Sequence, residues 1–522
     1  MRSLVILLCS FIQMYATIID LTIVDSESKK TIPARVLIKS LSGQSFVADN
    51  AVTLKIANEE WFMSPGESTL HVTTDTVCLR VERGKEYYRI KKIIDFKGKE
   101  TEEIRIELKR WINMKQKGYL SSENHLHLNA SEATAMCAAE DLDFGSSLQW
   151  WNRPRFAVPD GEGNTRILNF ASEQKELTVY DVEVEEAWGA LYIINMTQPF
   201  PMLNDPHMPN IIAAKYSRQN GALNCYQAGW SREVLIDALL GYVDIINVCN
   251  NNFHMHRYQP RSLYSNLLNV EGLPEYPDTP QGMMQMNTDT YYRLLNCGLK
   301  LAAGAGSASG VKEVPAGYNR AYVRSGATQG LQGFLKAWKE GKNFVTNGPM
   351  LFIKTSEGLY PGDSLHIASS KNLKLYISAI SDSPLKKVEI IVNGQVVKSF
   401  SCKDRKQYSD SLYITIDQSS WIAARCSDSD TLLSDQELEK YRSPRVSLYQ
   451  DPCRLRYAHS SPIYVYRDKK NIAIRHSILE GLRMVKAFKK FAKKNATAQY
   501  LQEIMAASDK AEDILQQKLS SL

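Results

Sequence analysis

In Glu123-Asn124-His125-Leu126-His127, side chains suited to metal chemistry stand closest together in this 522-residue chain. If the segment is extended, the period of two puts both imidazoles and Glu123 on one face. Two imidazoles and a carboxylate on one face can hold Zn²⁺, Mn²⁺ or Fe²⁺. Such a metal lowers the pKa of bound water and supplies hydroxide near neutral pH. An HxH pair taken alone is a weak signal, because histidine pairs also occur in cores and on surfaces without a ligand.

Other residues compete for a role. His254 and His256 form a second HxH, with Asp244 near in sequence. Zinc needs only three protein ligands and a water, although loop or surface histidines are the plainer reading of this pair. Arg320 could bind a substrate anion with its forked donors and His459 with its imidazole, and an arginine of this kind serves salt bridges equally well. The run Gly304-Ala305-Gly306-Ser307-Ala308-Ser309-Gly310 offers either an anion-binding loop of backbone N–H groups or a tight turn. Trp150 and Trp151, with Asn152 and Arg153, could wall a sugar site, though paired tryptophans more often lie in a core. The chain has no Gly-x-Ser-x-Gly elbow, no P-loop, and no GxGxxG in a βαβ setting.

Alternating apolar residues set the frame for these groups. Residues 17–110 read as short strands between polar turns, the pattern of a β-sandwich. Residues 111–349 mix helical stretches (130–141, 232–240) with strand-like runs (191–194, 243–248), the α/β pattern in which strand ends and loops carry chemistry. Residues 160–164 and 198–209 read as long loops. Residues 350–466 return to strands, with a hairpin at Asn393-Gly394. Residues 467–522 are a helical tail in which Ile474, Ile478, Leu482, Val485 and Phe488 share one face. Its lysines are expected to be a solvated face, with membrane contact the lesser alternative. The expected fold class is therefore multidomain α+β.

Several ordered motifs strengthen the metal reading. Arg83-Gly84-Lys85-Glu86-Tyr87, Lys109-Arg110-Trp111 and Gly118-Tyr119-Leu120-Ser121 lead into His125 and His127. Later come Tyr291-Tyr292-Arg293, Gly317-Tyr318-Asn319-Arg320, Thr346-Asn347-Gly348-Pro349, Pro361-Gly362-Asp363, Trp421-Ile422-Ala423-Ala424-Arg425 and His459-Ser460-Ser461-Pro462. In this order they resemble the CehA/McbA family of metallohydrolases, across nearly the whole chain. That resemblance implies a small β domain of carboxypeptidase-regulatory type ahead of a distorted-barrel domain of the polymerase-and-histidinol-phosphatase (PHP) type. It also implies metal ligands at Glu123, His125, His127 and one of Glu183 or Glu185, between which spacing does not choose. The chain departs from the family where Ala190 follows Gly189, where Cys225-Tyr226-Gln227-Ala228 holds no histidine, and where Ala308 follows Gly306-Ser307. Alanine coordinates nothing, so a two-metal clamp is hard to assemble. Ala190, the Gln227 region and Ala308 should nevertheless converge near His125 and His127.

The remaining bounds are broad. A formal charge of +6 is small for this length and gives no warrant for nucleic-acid binding. Arg2 followed by the apolar residues 4–12, with Ala16 closing a small tail, reads as a signal peptide over 1–16, so a secreted or periplasmic protein is expected. Eight cysteines lie beyond Cys9, and Cys402, Cys426 and Cys453 are the first disulfide candidates. Two functions follow. One is a hydrolase using hydroxide on one Zn, Mn or Fe ion to attack an ester, phosphoester or carbamate of a small-molecule or glycan substrate, with Arg320 and His459 binding it. The other is a non-catalytic ligand-binding protein that keeps the fold but lacks several metal ligands. Nothing in the sequence sets the oligomeric state.

Overall fold

The computed structural model describes residues 16–152, 167–198, 200–201, 207–260, 270–325, 330–442 and 451–522. The expected leader (apart from Ala16), Arg153 and the loop at 160–164 lie outside these residues, as does much of 198–209. Among the described residues the chain is a multidomain α+β protein with eight helices and several separate sheets. No helix among them is long and apolar enough to cross a membrane, which says nothing of strands.

The first strand, Thr17–Asp25, buries Ile19, Leu21 and Ile23 on one face. It pairs antiparallel with Glu67–Val72 and parallel with Thr101–Leu108, giving a three-stranded sheet. A six-stranded sheet built around Ala34–Ser40 and Thr76–Glu82 shares its core through Val36, Phe62, Leu79 and Val81. Each such side chain contributes roughly 1.5–3 kcal/mol when withdrawn from water. The far face of the six-stranded sheet meets the next part of the chain. There Arg35 pairs with Glu82 at 2.8 Å and with Glu140 at 2.6 Å, and Glu140 follows the helix Ala130–Ala139.

That helix sits beneath a seven-stranded mixed sheet. Its path runs Phe144–Trp151, Ser172–Glu186, Gly189–Ile194, Leu223–Tyr226, Ile245–Cys249 and Ala302–Ala305, with Ile167–Phe170 paired at the side. Residues 124–127 lie between the two end strands of this path and bond to both sides. Asn124 N–H donates to Ala305 O at 3.1 Å, His127 N–H to Ser309 O at 2.7 Å, and Ala308 N–H to His125 O at 2.8 Å. On the other side Leu148 N–H donates to Leu126 O at 2.8 Å. The HxH segment is thus extended, as its period requires, although it forms isolated bridges rather than a regular strand.

A nine-stranded sheet joins the central and C-terminal parts. Tyr119–Ser122, Arg320–Arg324 and Asn343–Thr346 continue into Leu455–Ser460, Ser420–Ser429, Leu385–Val392 and Gln395–Ser401. The division expected between 349 and 350 therefore falls inside one sheet, because strand pairing across a hundred residues leaves no local periodic mark. The hairpin at Asn393-Gly394 forms with φ of 48° and 83°, as a type I′ turn demands. A three-stranded sheet, Met350–Thr355, Lys371–Ile380 and Gln407–Ile416, packs against this one.

The tail is two helices, Arg475–Asn495 and Ala498–Ser520. Ile478, Val485 and Phe488 are buried, and Leu482 is partly so. Lys489 pairs with Asp509 and Glu512 across the two helices, so part of the lysine face is partnered within the chain. All eight cysteines of the described residues are buried free thiols, including the three considered for disulfides.

Candidate metal centre

His125 and His127 leave the extended segment two residues apart and so point the same way. Glu183 reaches them from the strand Ser172–Glu186. Its Oε2 lies 2.7 Å from His127 Nε2 and 3.3 Å from His125 Nε2, and the two Nε2 atoms are 2.9 Å apart. The three residues are 3%, 2% and 1% exposed, and their donor atoms all lie within 4.8 Å of one another, so the group could hold a metal ion. Two imidazole nitrogens and one carboxylate oxygen form a set that Zn²⁺, Mn²⁺ or Fe²⁺ accepts, and three protein ligands leave a position open for water. One feature works against tight binding. Metal-bound histidines usually donate their second ring N–H to an acceptor, and among the described residues neither Nδ1 has a partner.

The local sequence explains why the segment lies where it does. A Cβ on Gly306 would stand 2.5 Å from His125 Cβ and 2.7 Å from Asn124 Oδ1, so only glycine lets the 304–310 backbone pass. The glycine-rich run serves this close approach. Asn124 and Asn247 exchange amide hydrogen bonds of 2.9 Å in both directions, tying the segment to the strand Ile245–Cys249. Two residues past His127, Asn129 and Glu132 form a capping box that starts the helix Ala130–Ala139.

Aromatic and charged groups surround the cluster. The Tyr192 ring stands 4.2 Å from that of His125, and the Trp151 ring 5.0 Å from that of His127. Trp151 Nε1–H donates to Glu185 Oε2 at 2.9 Å, and Trp150 is a core residue. Burial would raise the Glu183 carboxyl, but the two imidazoles outweigh it and hold it at about 2. Burial pushes Glu185 up to about 7, helped by the charge of Glu183. Burial lowers His125, with Glu183 opposing. Lys312 is lowered by burial against the attraction of Glu185 and Glu183, and its Nζ donates to Gln259 Oε1 at 3.2 Å. Lys312 and Tyr192 belong to no motif. Only the period of two along 190–192 could have placed Tyr192 on this face.

Of the two acidic candidates, Glu183 joins the histidines, and Glu185 lies one strand step further out. Glu123 is buried outside the cluster, and neither of its oxygens has a hydrogen-bond partner of good geometry among the described residues. Burial pushes its carboxyl up to about 8, while Ser307, Gly317 and Arg320 favour the charged form. Arg320 is fully buried and bonds to Gly317 O at 2.6 Å and Glu140 O at 3.1 Å, so two of its donors are spent on backbone.

His459 does not join the group. Its Nδ1–H donates to Ser460 O at 2.7 Å, its Nε2 accepts from Tyr292 Oη at 2.7 Å, and burial lowers it to about 3. It is therefore a neutral core imidazole, which its position one residue before Ser460 could not reveal.

The second HxH is also elsewhere. His254 Nε2–H donates to Asn251 O at 2.7 Å, and His256 packs against Tyr441 beside Arg80 and Asp430. Both are buried, not surface histidines. Asp244 pairs with Arg218 and Lys339.

Of Ala190, Gln227 and Ala308, only Ala308 contacts the HxH segment through a hydrogen bond. Ala308 N–H bonds to His125 O, Ala190 pairs with Glu185 across two strands, and Gln227 N–H donates to Ala190 O at 3.0 Å.

No family model matches the chain, and no curated protein matches it. One solved structure, the neutron crystallographic structure of a Jonesia denitrificans lytic polysaccharide monooxygenase, is similar at 18% identity and a TM-score of 0.12. The similarity covers 21% of this chain and 61% of that one, so this chain spans about three fifths of that protein's length. A likeness of that size carries no argument about fold or chemistry.

Proposed function

We propose that this chain is an exported hydrolase-type protein of the CehA/McbA kind that holds a single Zn, Mn or Fe ion on His125, His127 and Glu183. The observation that carries the reading is the convergence of two Nε2 atoms and one carboxylate oxygen within 4.8 Å in a buried setting. A PHP-type distorted barrel is supported by the hydrogen bonds from both end strands that meet on residues 124–127. Descent from a fuller metal site is supported by Ala308 bonding to His125 O and by Ala190 lying across from Glu185 on the strand that carries Glu183.

When bound, the metal supplies Lewis acidity toward water and toward an ester, phosphoester or carbamate oxygen. Glu183 supplies the negative charge that balances the ion. Glu185, poised near neutrality with Oε2 accepting from Trp151, can hold or release a proton at Oε1. Lys312 directs positive charge toward the two glutamates and would attract an anionic small-molecule or glycan substrate.

A second reading, a non-catalytic ligand-binding protein, is favoured by two features. Arg320, the sequence's candidate anion binder, is committed to backbone carbonyls. The positions that would complete a larger metal site are alanine or amide. Metal analysis of the purified chain, followed by turnover assays on nitrophenyl phosphate, ester and carbamate substrates, decides. One metal per chain with metal-dependent turnover supports the hydrolase. One metal without turnover selects the binding protein, and no metal uptake even with excess Zn²⁺ or Mn²⁺ overturns the proposed centre.

A further inference from the structure

A cleft of about 1280 Å³ opens between the outer face of the sheet Met350–Thr355, Lys371–Ile380, Gln407–Ile416 and the backbone of residues 111–119. None of His125, His127 and Glu183 lines it, so it is separate from the metal centre. Its volume exceeds the roughly 300–1,000 Å³ that a single small ligand fills, which points to an oligomer.

The sheet's register dictates what the cleft presents. Ile353, Leu375 and Ile377 face the core, so Phe352, Lys354, Tyr376 and Ser378 face outward. Cross-strand pairing sets Phe352 beside Ser378 and Ser378 beside Ser409, and sets Lys354 beside Tyr376. Flat rings thus alternate with short hydroxyl side chains. Tyr376 is 39% exposed, a large ring left open on this face. Trp111 and Tyr360 add rings from the opposite wall, and Asn113, Gln116 and Gln407 add amides.

Rings interleaved with hydroxyls and amides match a saccharide, whose C–H faces stack on aromatic rings while its hydroxyls exchange hydrogen bonds at the edge. The lining charges set the kind of saccharide. Lys117, Lys354 and Arg324 line the cleft with one carboxylate, Asp410, which accepts from Tyr408 Oη at 2.8 Å and from Ser411 N–H at 2.7 Å, and Arg324 also pairs with Asp363 at 3.7 Å. Lys117 Nζ lies 5.7 Å from the Phe352 ring and Lys354 Nζ 5.8 Å from the Tyr376 ring, while the Arg324 guanidinium covers Tyr360 at 4.1 Å. Cations placed beside stacking rings suit a sugar bearing carboxylate or sulfate groups. We infer that this cleft binds an acidic oligosaccharide, stacked on Tyr376, Phe352 and Trp111 with its anionic groups toward Lys117, Lys354 and Arg324.

Calorimetric titration of the full chain with a galacturonic-acid oligosaccharide tests this, with a neutral glucose oligosaccharide and poly-glutamate of matched charge as comparisons. Binding should favour the acidic sugar over both and weaken as salt rises. Tyr376→Ala and Lys117→Gln change exposed or half-exposed side chains, and each should weaken binding about fivefold to tenfold while the circular dichroism spectrum is unchanged. Absence of binding, equal binding of the neutral sugar, equal binding of poly-glutamate, or variants that bind like the parent would each overturn the inference. His127→Ala should leave this binding intact, so the cleft stands or falls apart from the metal centre.

Discussion

Nε2 of His125 and Nε2 of His127 stand 2.9 Å apart, and both face the same oxygen of Glu183. Without an ion, such a contact holds only through a shared proton, and the carboxylate provides the charge that keeps a cation there. Glu183→Gln removes that charge with almost no change of volume. The expected outcome is a loss of Zn²⁺ or Mn²⁺ affinity of more than about tenfold, and His127→Ala should abolish stoichiometric binding. Glu123→Gln should leave the stoichiometry alone, because burial already keeps that carboxyl protonated near neutral pH. Equal metal content in the parent and Glu183→Gln, measured by mass spectrometry of the dialysed protein, would remove Glu183 from the centre.

Gly306 offers a test that touches no ligand. A methyl group there meets His125 Cβ, Asn124 Oδ1 and Asn247 Nδ2, the last at 3.0 Å. All three belong to the contact that fixes the HxH segment, and none is the free end of a long side chain. Gly306→Ala should destabilise the chain by about 1–3 kcal/mol, the range for overpacking a tight interior. It should also lower metal occupancy, since His125 must shift. Urea unfolding and metal analysis check both, and a variant as stable and as metal-loaded as the parent would mean the segment is not held by this approach.

The HxH spacing made two of the three clustered side chains legible, because a period of two needs no knowledge of the fold. Glu183 was legible only as one of a pair. Choosing it over Glu185 depends on the register between Phe144–Trp151 and Ser172–Glu186, which shifts twice along its length. Residues such as Ile19, Leu21 and Ile23 announced the first sheet by alternation. The nine-stranded sheet gave no such mark, since Phe344 finds Ser460 more than a hundred positions away. Arg320 and His459 carried side chains able to bind anions. Two donors of Arg320 and the ring N–H of His459 are taken by Gly317, Glu140 and Ser460, partners that only the folded backbone brings near.

Stability should depend on pH through a buried acid remote from the ligands. Burial pushes Asp237 up to about 7, against the hydrogen bond from Tyr226 Oη at 2.6 Å and the charge of Lys215, and the neighbouring Glu233 is raised as well. The folded-state value lies above the unfolded one, so the folded state holds this proton more tightly. Its contribution is complete below the ordinary carboxylate range and is lost as pH rises toward 7, by at most about 1.4 kcal/mol per pH unit. Asp237→Asn keeps the acceptor for Tyr226 and removes the titration. Its urea midpoint should fall less than the parent's between about pH 5 and about pH 7.5, and parallel profiles would assign the dependence to other groups.

Adding ligands is the strictest test of the proposed descent, because it asks whether the backbone can seat them at Ala190 and Ala308, where the family resemblance expects them. Ala308 is fully buried with φ of 60°, a region that costs a Cβ-bearing residue about 1–2 kcal/mol and that aspartate tolerates better than alanine. Its N–H is fixed on His125 O, so a carboxylate there begins beside the first imidazole. Ala190 faces Glu185 directly across an antiparallel pair, which puts its Cβ on the face that carries Glu185 and Glu183. Both sites are closed, and adding side chains should cost about 1–3 kcal/mol each in the metal-free protein. If the positions are inherited, metal binding repays that cost. Ala308→Asp should raise Zn²⁺ or Mn²⁺ affinity by about tenfold or more, and adding Ala190→His should allow a second ion per chain. The melting temperature of the double variant should then lie below the parent's without metal and rise more steeply with added metal. A double variant that is destabilised yet gains neither affinity nor a second ion would mean that Ala190 and Ala308 are packing residues, with no ligand positions left to restore.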